Sequence, residues 1–399
     1  MDNTPIMKRS PLVIIFFTVF LDLVGFGIIL PLLPFYAQIF GATALLVGLL
    51  STSYSLMQFL FAPLWGRISD RVGRRPIILL GLLGSSASYL VFGLANSLLL
   101  LFLSRIVAGI AGANISTAQA YIADSTPPER RAKGMGLIGA AYGLGFIFGP
   151  AIGGILSHYG YSVPAYFASF LAFCNCLAAY FLLPESLNSP NRTFAARRGL
   201  NFAGIRRGLR HPELGAFFAC FFISTFAFAN LESTFALMTQ RKFGLDARHN
   251  GYLFAYIGVL ITIMQGALIG RLVKRFGERK LVATGLFSMI FGLGLLPFSP
   301  SLQYLLLVLV ALTFGSGVTN PSITSLISQI TGAEDQGGVL GVGQSLASLA
   351  RILGPVWGGF TFDRFGFQYP YITGGIFMAV AFGISLVAVR RKIPVPHAA

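Results

Sequence analysis

Twelve long apolar stretches, separated by short polar or basic segments, dominate this chain. They fall near 11–37, 45–64, 77–95, 98–122, 133–157 and 164–183, and again near 212–239, 250–269, 281–298, 302–329, 338–360 and 369–389. A helix needs roughly 20 apolar residues to cross about 30 Å of hydrocarbon. Helices are the expected form, since an open sheet would leave backbone groups unpaired in lipid. The expected fold is therefore an all-α membrane protein of twelve transmembrane helices. Only 11% of the 399 residues are charged and 55% are hydrophobic, whereas soluble domains carry about a quarter charged residues. The first stretch runs past the length of a signal-peptide core and lacks a small-residue cleavage site. It reads as a first span that also targets the chain.

Twelve spans return both termini to one side, and the basic residues indicate which side. On the terminal side lie Lys8, Arg9, Arg67, Arg71, Arg74, Arg75, Arg130, Arg131 and Lys133. The central loop adds Arg192, Arg197, Arg198, Arg206, Arg207 and Arg210, and the second half adds Arg271, Lys274, Arg275, Arg279, Lys280, Arg390, Arg391 and Lys392. The opposite loops hold Arg241, Lys242, Arg248 and Arg364. The positive-inside rule then places both termini and the central loop in the cytoplasm, as expected for a multi-pass protein of a bacterial inner (plasma) membrane. The net charge of +16 is thereby topological, with anionic lipid head groups as partners. Nucleic acid is not needed to explain it.

The chain repeats at an offset of about 204 residues. The run Gly66–Arg75 (GRISDRVGRR) matches Gly270–Arg279 (GRLVKRFGER), and Gly149–Gly154 (GPAIGG) matches Gly354–Gly359 (GPVWGG). Each pair occupies one place in its half, after the second span and inside the fifth. Six spans per half in parallel repeat is the layout of transporters that rock one half against the other. The expected organisation is an N-terminal six-helix bundle over 1–183, a cytoplasmic linker over 184–211 and a C-terminal bundle over 212–399.

These residues resemble the major facilitator superfamily, and more narrowly its twelve-helix drug:proton antiporter branch, near the tetracycline exporters and tetracycline-transporter-like proteins. The family's G-x-x-x-D-R-x-G-R-[RK] signature stands here as Gly66, Asp70, Arg71, Gly73, Arg74 and Arg75, with Arg67 inside it. Arg105, Gly109 and Gly112 resemble its fourth-span pattern, and Gly145, Gly149, Pro150, Gly153 and Gly154 its fifth-span antiporter pattern. Phe20–Gly27, with Asp22, is similar to the acidic first-span motif of tetracycline exporters. The resemblance implies alternating access, antiport, and a latch between the halves at Gly66–Arg75. Physically, Gly66 and Gly73 permit close approach, and Asp70 can accept hydrogen bonds from a helix N-terminus or from nearby arginines. Gly149-Pro150 interrupts regular helix bonding and permits bending. A basic loop that only fixes topology, and ordinary glycine packing, are the plainer alternatives. Lys274 replaces Asp70 in the second repeat.

Four charges fall inside spans: Asp22, Arg105, Glu232 and Arg351. Each costs about 2.5–3.5 kcal/mol at the bilayer centre on insertion scales, so such residues face a cavity, pair, or both. Asp22 is the expected carrier of the coupling proton, with Arg105 as its charge partner. A static ion pair joining the first and fourth spans is the alternative. Glu232 is a second protonation or substrate-charge candidate, or else an interfacial acid reaching water. Arg351 could bind an anionic group or neutralise an acid, and Phe146 occupies its matching place in the first half. Polar and aromatic span residues outline an expected substrate cavity: Gln58, Asn114, Gln119, Asn230, Gln265, Gln344, Tyr54, Tyr142 and Phe235. Helix–helix hydrogen bonding and lipid-facing aromatics are the alternative.

The leading expectation is proton-driven export of a small amphipathic organic compound by a monomer. The alternative is a carrier of an anionic metabolite or lipid-like substrate on the same scaffold. No cofactor beyond the proton gradient is expected, because the chain has no Walker-type loop. No enzyme is expected either, for want of a G-x-S-x-G or H-E-x-x-H pattern. His158, His211, His249 and His397 lack metal spacing, and Cys174, Cys176 and Cys220 read as packing thiols, so no metal site is expected.

Overall fold

The computed structural model describes residues 11–127, 131–187, 212–331 and 336–390. The linker from 188 onward lies outside these. So do Lys8, Arg9, Arg130, the six central-loop arginines, Arg391, Lys392, His211 and His397. Twelve helices are long and apolar enough to cross a membrane, and no strand occurs among the described residues. They are numbered here by span: α1 Pro11–Ile29, α2 Ala44–Val72, α3 Arg74–Gly93, α5 Arg131–Leu156 and α6 Ser162–Leu182 in the first half. The second half has α7 Pro212–Phe243, α9 Glu278–Leu295, α10 Leu302–Ile330, α11 Gln336–Phe365 and α12 Tyr369–Arg390. Two spans are composite: α4, Leu98–Ser125, and α8, Ala247–Phe276. The chain is an integral multi-pass membrane protein.

Several helix ends differ from the sequence reading, each for a local reason. The first span stops at Ile29, and a short helix follows over Leu33–Ile39. Pro31 cannot donate to the helix ladder and disfavours helix at the residue before it. The short helix is pinned by Tyr36, whose hydroxyl donates to the Ala95 carbonyl at 2.8 Å. α2 continues through most of the Gly66–Arg75 run instead of ending at 64. It stops only at Gly73, whose φ of 119° lies in the region that favours glycine. α3 begins at the next residue, so one glycine makes the whole turn. Gly277, with φ 75°, does the same between α8 and α9. α4 breaks at Ala113 and Asn114, and α8 contains a π-helical turn over Met264–Leu268.

The chain forms two compact units that do not follow the repeat boundary everywhere. One comprises residues up to Ala42, Ser53–Arg197 and Leu245–Gly258; the other comprises Thr43–Thr52, Arg198–Gly244 and Val259 onward. In the first unit the buried core joins α1, α3, α4, α5 and α6 through Ile15, Val19, Leu82, Tyr121, Ala141 and Ala179. α1 and α5 meet backbone to backbone. A Cβ on Gly27 would lie 2.8 Å from the Gly145 carbonyl oxygen, and one on Gly149 would lie 2.7 Å from Gly27 Cα. In the second unit α7 packs on α11 and α12, and α9 on α10 and α12.

Candidate functional site

The first unit holds a cluster of polar groups at mid-span depth. Asp22 stands in α1 with Oδ1 buried and without a hydrogen-bond partner. Ser85 of α3 is its hydrogen-bonding neighbour. Tyr89, one turn further along α3, lies near Asp22, Tyr54 and Arg105. Gly25 makes room for it, since a Cβ there would sit 2.9 Å from Tyr89 Cε2. Arg105 of α4 is 3% exposed, and its Nε and Nη2 find no partner. Its guanidinium lies 4.9 Å from the centre of the Phe92 ring, a cation–π arrangement that offsets part of its desolvation. Asp22 and Arg105 form no ion pair, so the expected direct charge partnership is not found. The neutral phenol of Tyr89 lies near both.

Around this cluster, Phe26 packs on Tyr54 and Phe146 at centroid separations of 5.2 and 6.0 Å. Gln58 donates to the Gly112 carbonyl at 3.1 Å and to the Tyr54 hydroxyl at 3.4 Å. Trp65 donates to the Ile110 carbonyl at 2.8 Å. Both carbonyls lie where α4 breaks, so α2 side chains take up acceptors that the interruption leaves unpaired. Gln119 and Tyr142 are exposed at the surface of this unit.

Some expected cavity residues serve helix packing instead. Asn114 is 8% exposed and donates to the Ile78 carbonyl at 3.0 Å. Asn230 is fully buried and donates to the Pro370 carbonyl at 2.6 Å, beside Gly358. Phe235 is fully buried too. Each asparagine amide donates to a carbonyl of an adjacent helix, which ties the helices together, while its own Oδ1 is left without a partner.

In the second unit, Glu232 of α7 and Arg351 of α11 interact electrostatically. They do not form an ion pair; Arg351 Nη2 donates to Ser348 at 3.5 Å. Gln265 is exposed on the π turn of α8, and Gln344 is exposed on α11.

At the end of the spans near the termini, Arg74 organises the signature run. It is 8% exposed, with Nη1 at 2.6 Å from both Asp70 and the Ser69 hydroxyl, and Nε at 3.0 Å from Asp124. Of the two partners expected for Asp70, the one found is a neighbouring arginine. Arg75 stacks on the Tyr180 ring, 5.3 Å from its centre, and donates to the Tyr180 carbonyl. Glu185, just past α6, accepts from the α3 N-terminal amides of Arg74 at 2.9 Å and Arg75 at 3.2 Å. It packs where a Gly73 Cβ would stand. The expectation that Gly66 permits close approach is not met, because open space surrounds it. Gly73 carries that role alone. The second repeat solves the same corner differently, with Arg279 bonded to Glu213 at 3.3 Å and Glu278 to Gln329 at 3.0 Å. Because Glu185 satisfies two free helix amides, Glu185→Ala is expected to lower stability by about 1–2 kcal/mol. A thermal-unfolding scan in detergent checks this, and an unchanged midpoint would contradict it.

Comparison with known proteins bears on what this frame is. The family model described as Major Facilitator Superfamily matches residues 15–274 and 217–399. The chain belongs to the Major Facilitator Superfamily. It is 30% identical over 391 residues to "Multidrug resistance protein 2" of Bacillus subtilis (strain 168), covering 96% of each chain. It is 34% identical over 343 residues to "Tetracycline resistance protein, class E" of Escherichia coli, covering 85% of this chain and 84% of that one. Among solved structures, that of the human organic anion transporter MFSD10 (TETRAN) superposes with a TM-score of 0.71 at 28% identity, over 95% of this chain and 99% of that one.

This transporter therefore has multidrug- and tetracycline-resistance relatives, and its intramembrane charges stand out against that background. Sequence reasoning singled out Asp22 and Arg105 but passed over Ser85 and Tyr89. The signal was present in the polar run Ser85, Ser86, Ser88 and Tyr89 within an otherwise apolar α3. Spacing of four residues sets Ser85 and Tyr89 on one helix face.

Proposed function

We propose that this transporter exports a small amphipathic organic compound in exchange for protons, by alternating access, with Asp22 as the proton-carrying group. The observation that supports this most is the buried Asp22 oxygen that no partner satisfies. A carboxylate kept for architecture would be paired; a group that must gain and lose a proton needs its oxygen free in one protonation state. Tyr89 lies near Asp22 and Arg105 and, being uncharged, neutralises neither. Aromatic neighbours at Phe26, Tyr54 and Phe146 suit a flat amphipathic substrate. The multidrug and tetracycline resistance relatives agree with this cargo. In this reading the protein is a monomer of a bacterial inner membrane. Its termini are cytoplasmic, and its basic face touches anionic lipid.

A second reading has a specific observation behind it. Arg105 has two unpartnered guanidinium nitrogens, and Arg351 has no ion-pair partner among the described residues. An organic anion would suit either guanidinium, and MFSD10 is described as an organic anion transporter. Uptake into proteoliposomes under an imposed pH gradient separates the two. Cationic and zwitterionic aromatic compounds are expected to accumulate, with little movement of aromatic carboxylates. The reverse ranking would replace the first reading with the second.

A further inference from the structure

The far ends of the spans, away from the chain termini, carry a feature that transport chemistry has not used. Thr43–Thr52 opens α2 and so belongs to the first repeat, yet it is part of the second compact unit. There it lies against α11 through main-chain contacts. A Cβ on Gly48 would collide with the Pro355 carbonyl oxygen, and one on Gly359 with the Ala44 carbonyl oxygen. Thr52 Oγ1 donates to the Ile352 carbonyl at 2.7 Å. Asp363, in the last turn of α11, closes this seam. Its Oδ1 accepts from the Ala44 amide at 3.0 Å and its Oδ2 from the Leu45 amide at 2.8 Å. These are first-turn amides of α2, which have no partner inside their own helix. A carboxylate suits them by hydrogen bonding and by helix dipole together.

The pseudo-symmetric seam lacks this device. In the first unit Gly154 lies against the Arg248 carbonyl oxygen, and Gly251 against that of Pro150, repeating the glycine packing. His158 occupies the place of Asp363 in the repeat. The start of α8 is capped by its own Asp246, which accepts from the His249 amide at 2.9 Å. One seam thus carries a carboxylate that bridges two repeats, and the other does not.

We infer that Asp363 is a positioning residue for transport: a clamp that holds the far-side seam between α2 and α11 shut and sets how often that side opens. The inference rests on the alternating-access reading above. If repeats move as bodies, Thr43–Thr52 must leave the second unit when the far side opens, and both Asp363 hydrogen bonds must break. The clamp acts through main-chain amides, so it does not depend on which compound is carried.

Distance measurement between spin labels at the far ends of α4 and α10 tests this without any substrate. Labels go on Leu99 and Leu302, both exposed, with Cys174, Cys176 and Cys220 replaced by alanine. Asp363→Asn removes the charge and one of the two acceptors. The ratio of long to short separations is expected to rise about tenfold. Ala44→Pro deletes the amide that Oδ1 accepts, at a first-turn position where proline is tolerated, and is expected to shift the ratio the same way. His158→Asn, at the equivalent place, should leave the ratio as in the unsubstituted protein. An unchanged ratio in Asp363→Asn overturns the inference. So does an equal rise in His158→Asn, which would mean general loosening. Should Asp363→Asn fail to fold, Ala44→Pro decides alone. Uptake by the unsubstituted protein is measured in parallel. Silent vesicles with clamp-dependent distances would sink the export reading and leave the clamp standing. Active vesicles with clamp-independent distances would do the opposite.

Discussion

Asp22→Asn is expected to abolish accumulation driven by a pH gradient while leaving exchange without a gradient intact. The substitution keeps the size of the side chain and removes its ability to hold and release a proton. In the exchange proposed above, coupling uses that proton, whereas carrying cargo from one side to the other does not. Ser85 can still bond to the amide, so the local packing around α1 and α3 is retained. In proteoliposomes, uphill uptake should fall to the level of protein-free vesicles, and counterflow of the same compound at equal pH should continue. Loss of both activities would mean that Asp22 holds the structure or the cargo. Retention of both would remove it from coupling, and Glu232 would take its place as the carboxyl to test.

The second large effect is structural. Gly149→Val is expected to destabilise the transporter by about 3 kcal/mol, a large share of the roughly 5–15 kcal/mol that holds a typical fold. A Cβ at this position would lie 2.7 Å from both Gly27 Cα and the Val24 carbonyl oxygen. Those are main-chain atoms of α1, which cannot rotate away as a side-chain tip can. Neighbouring contacts leave no slack, since a Cβ on Gly153 would meet the Ile28 carbonyl oxygen at 2.5 Å. Gly139→Val provides the internal comparison, because open space surrounds Gly139 on the same helix. Thermal midpoint and the monodisperse fraction on size exclusion should fall sharply for the first and little for the second. Equal behaviour would mean that α1 and α5 are not held by this contact.

The spans and the two-fold repeat were legible because lipid imposes a length and a polarity that leave few alternatives. Even the turn at Gly73 follows from one residue type in one place. What could not be read was direction. Spans apolar on nearly every face hide which face looks inward, so Asn114 and Asn230 stood as cavity residues although both are bound to carbonyls of adjacent helices. Opposite charges in spans invite pairing, so Arg105 reads as the partner of Asp22; Tyr89, near both, carries no charge to flag it. Gly66 was grouped with Gly73 by motif, yet only Gly73 has a close neighbour and positive φ. The placement of Thr43–Thr52 in the second unit has no local signal at all, since it depends on contacts 300 and 319 residues apart in sequence.

The interruption of α4 has a mechanical consequence. Carbonyls of Ile110 and Gly112 are held by Trp65 and Gln58 of α2, and in hydrocarbon neither could be left bare without penalty. α2 is thereby riveted to α4 along its middle and cannot creep lengthwise past it. If the far side opens as inferred above, the first turn of α2 leaves Asp363 together with the segment so held, and both hydrogen bonds break in the same movement.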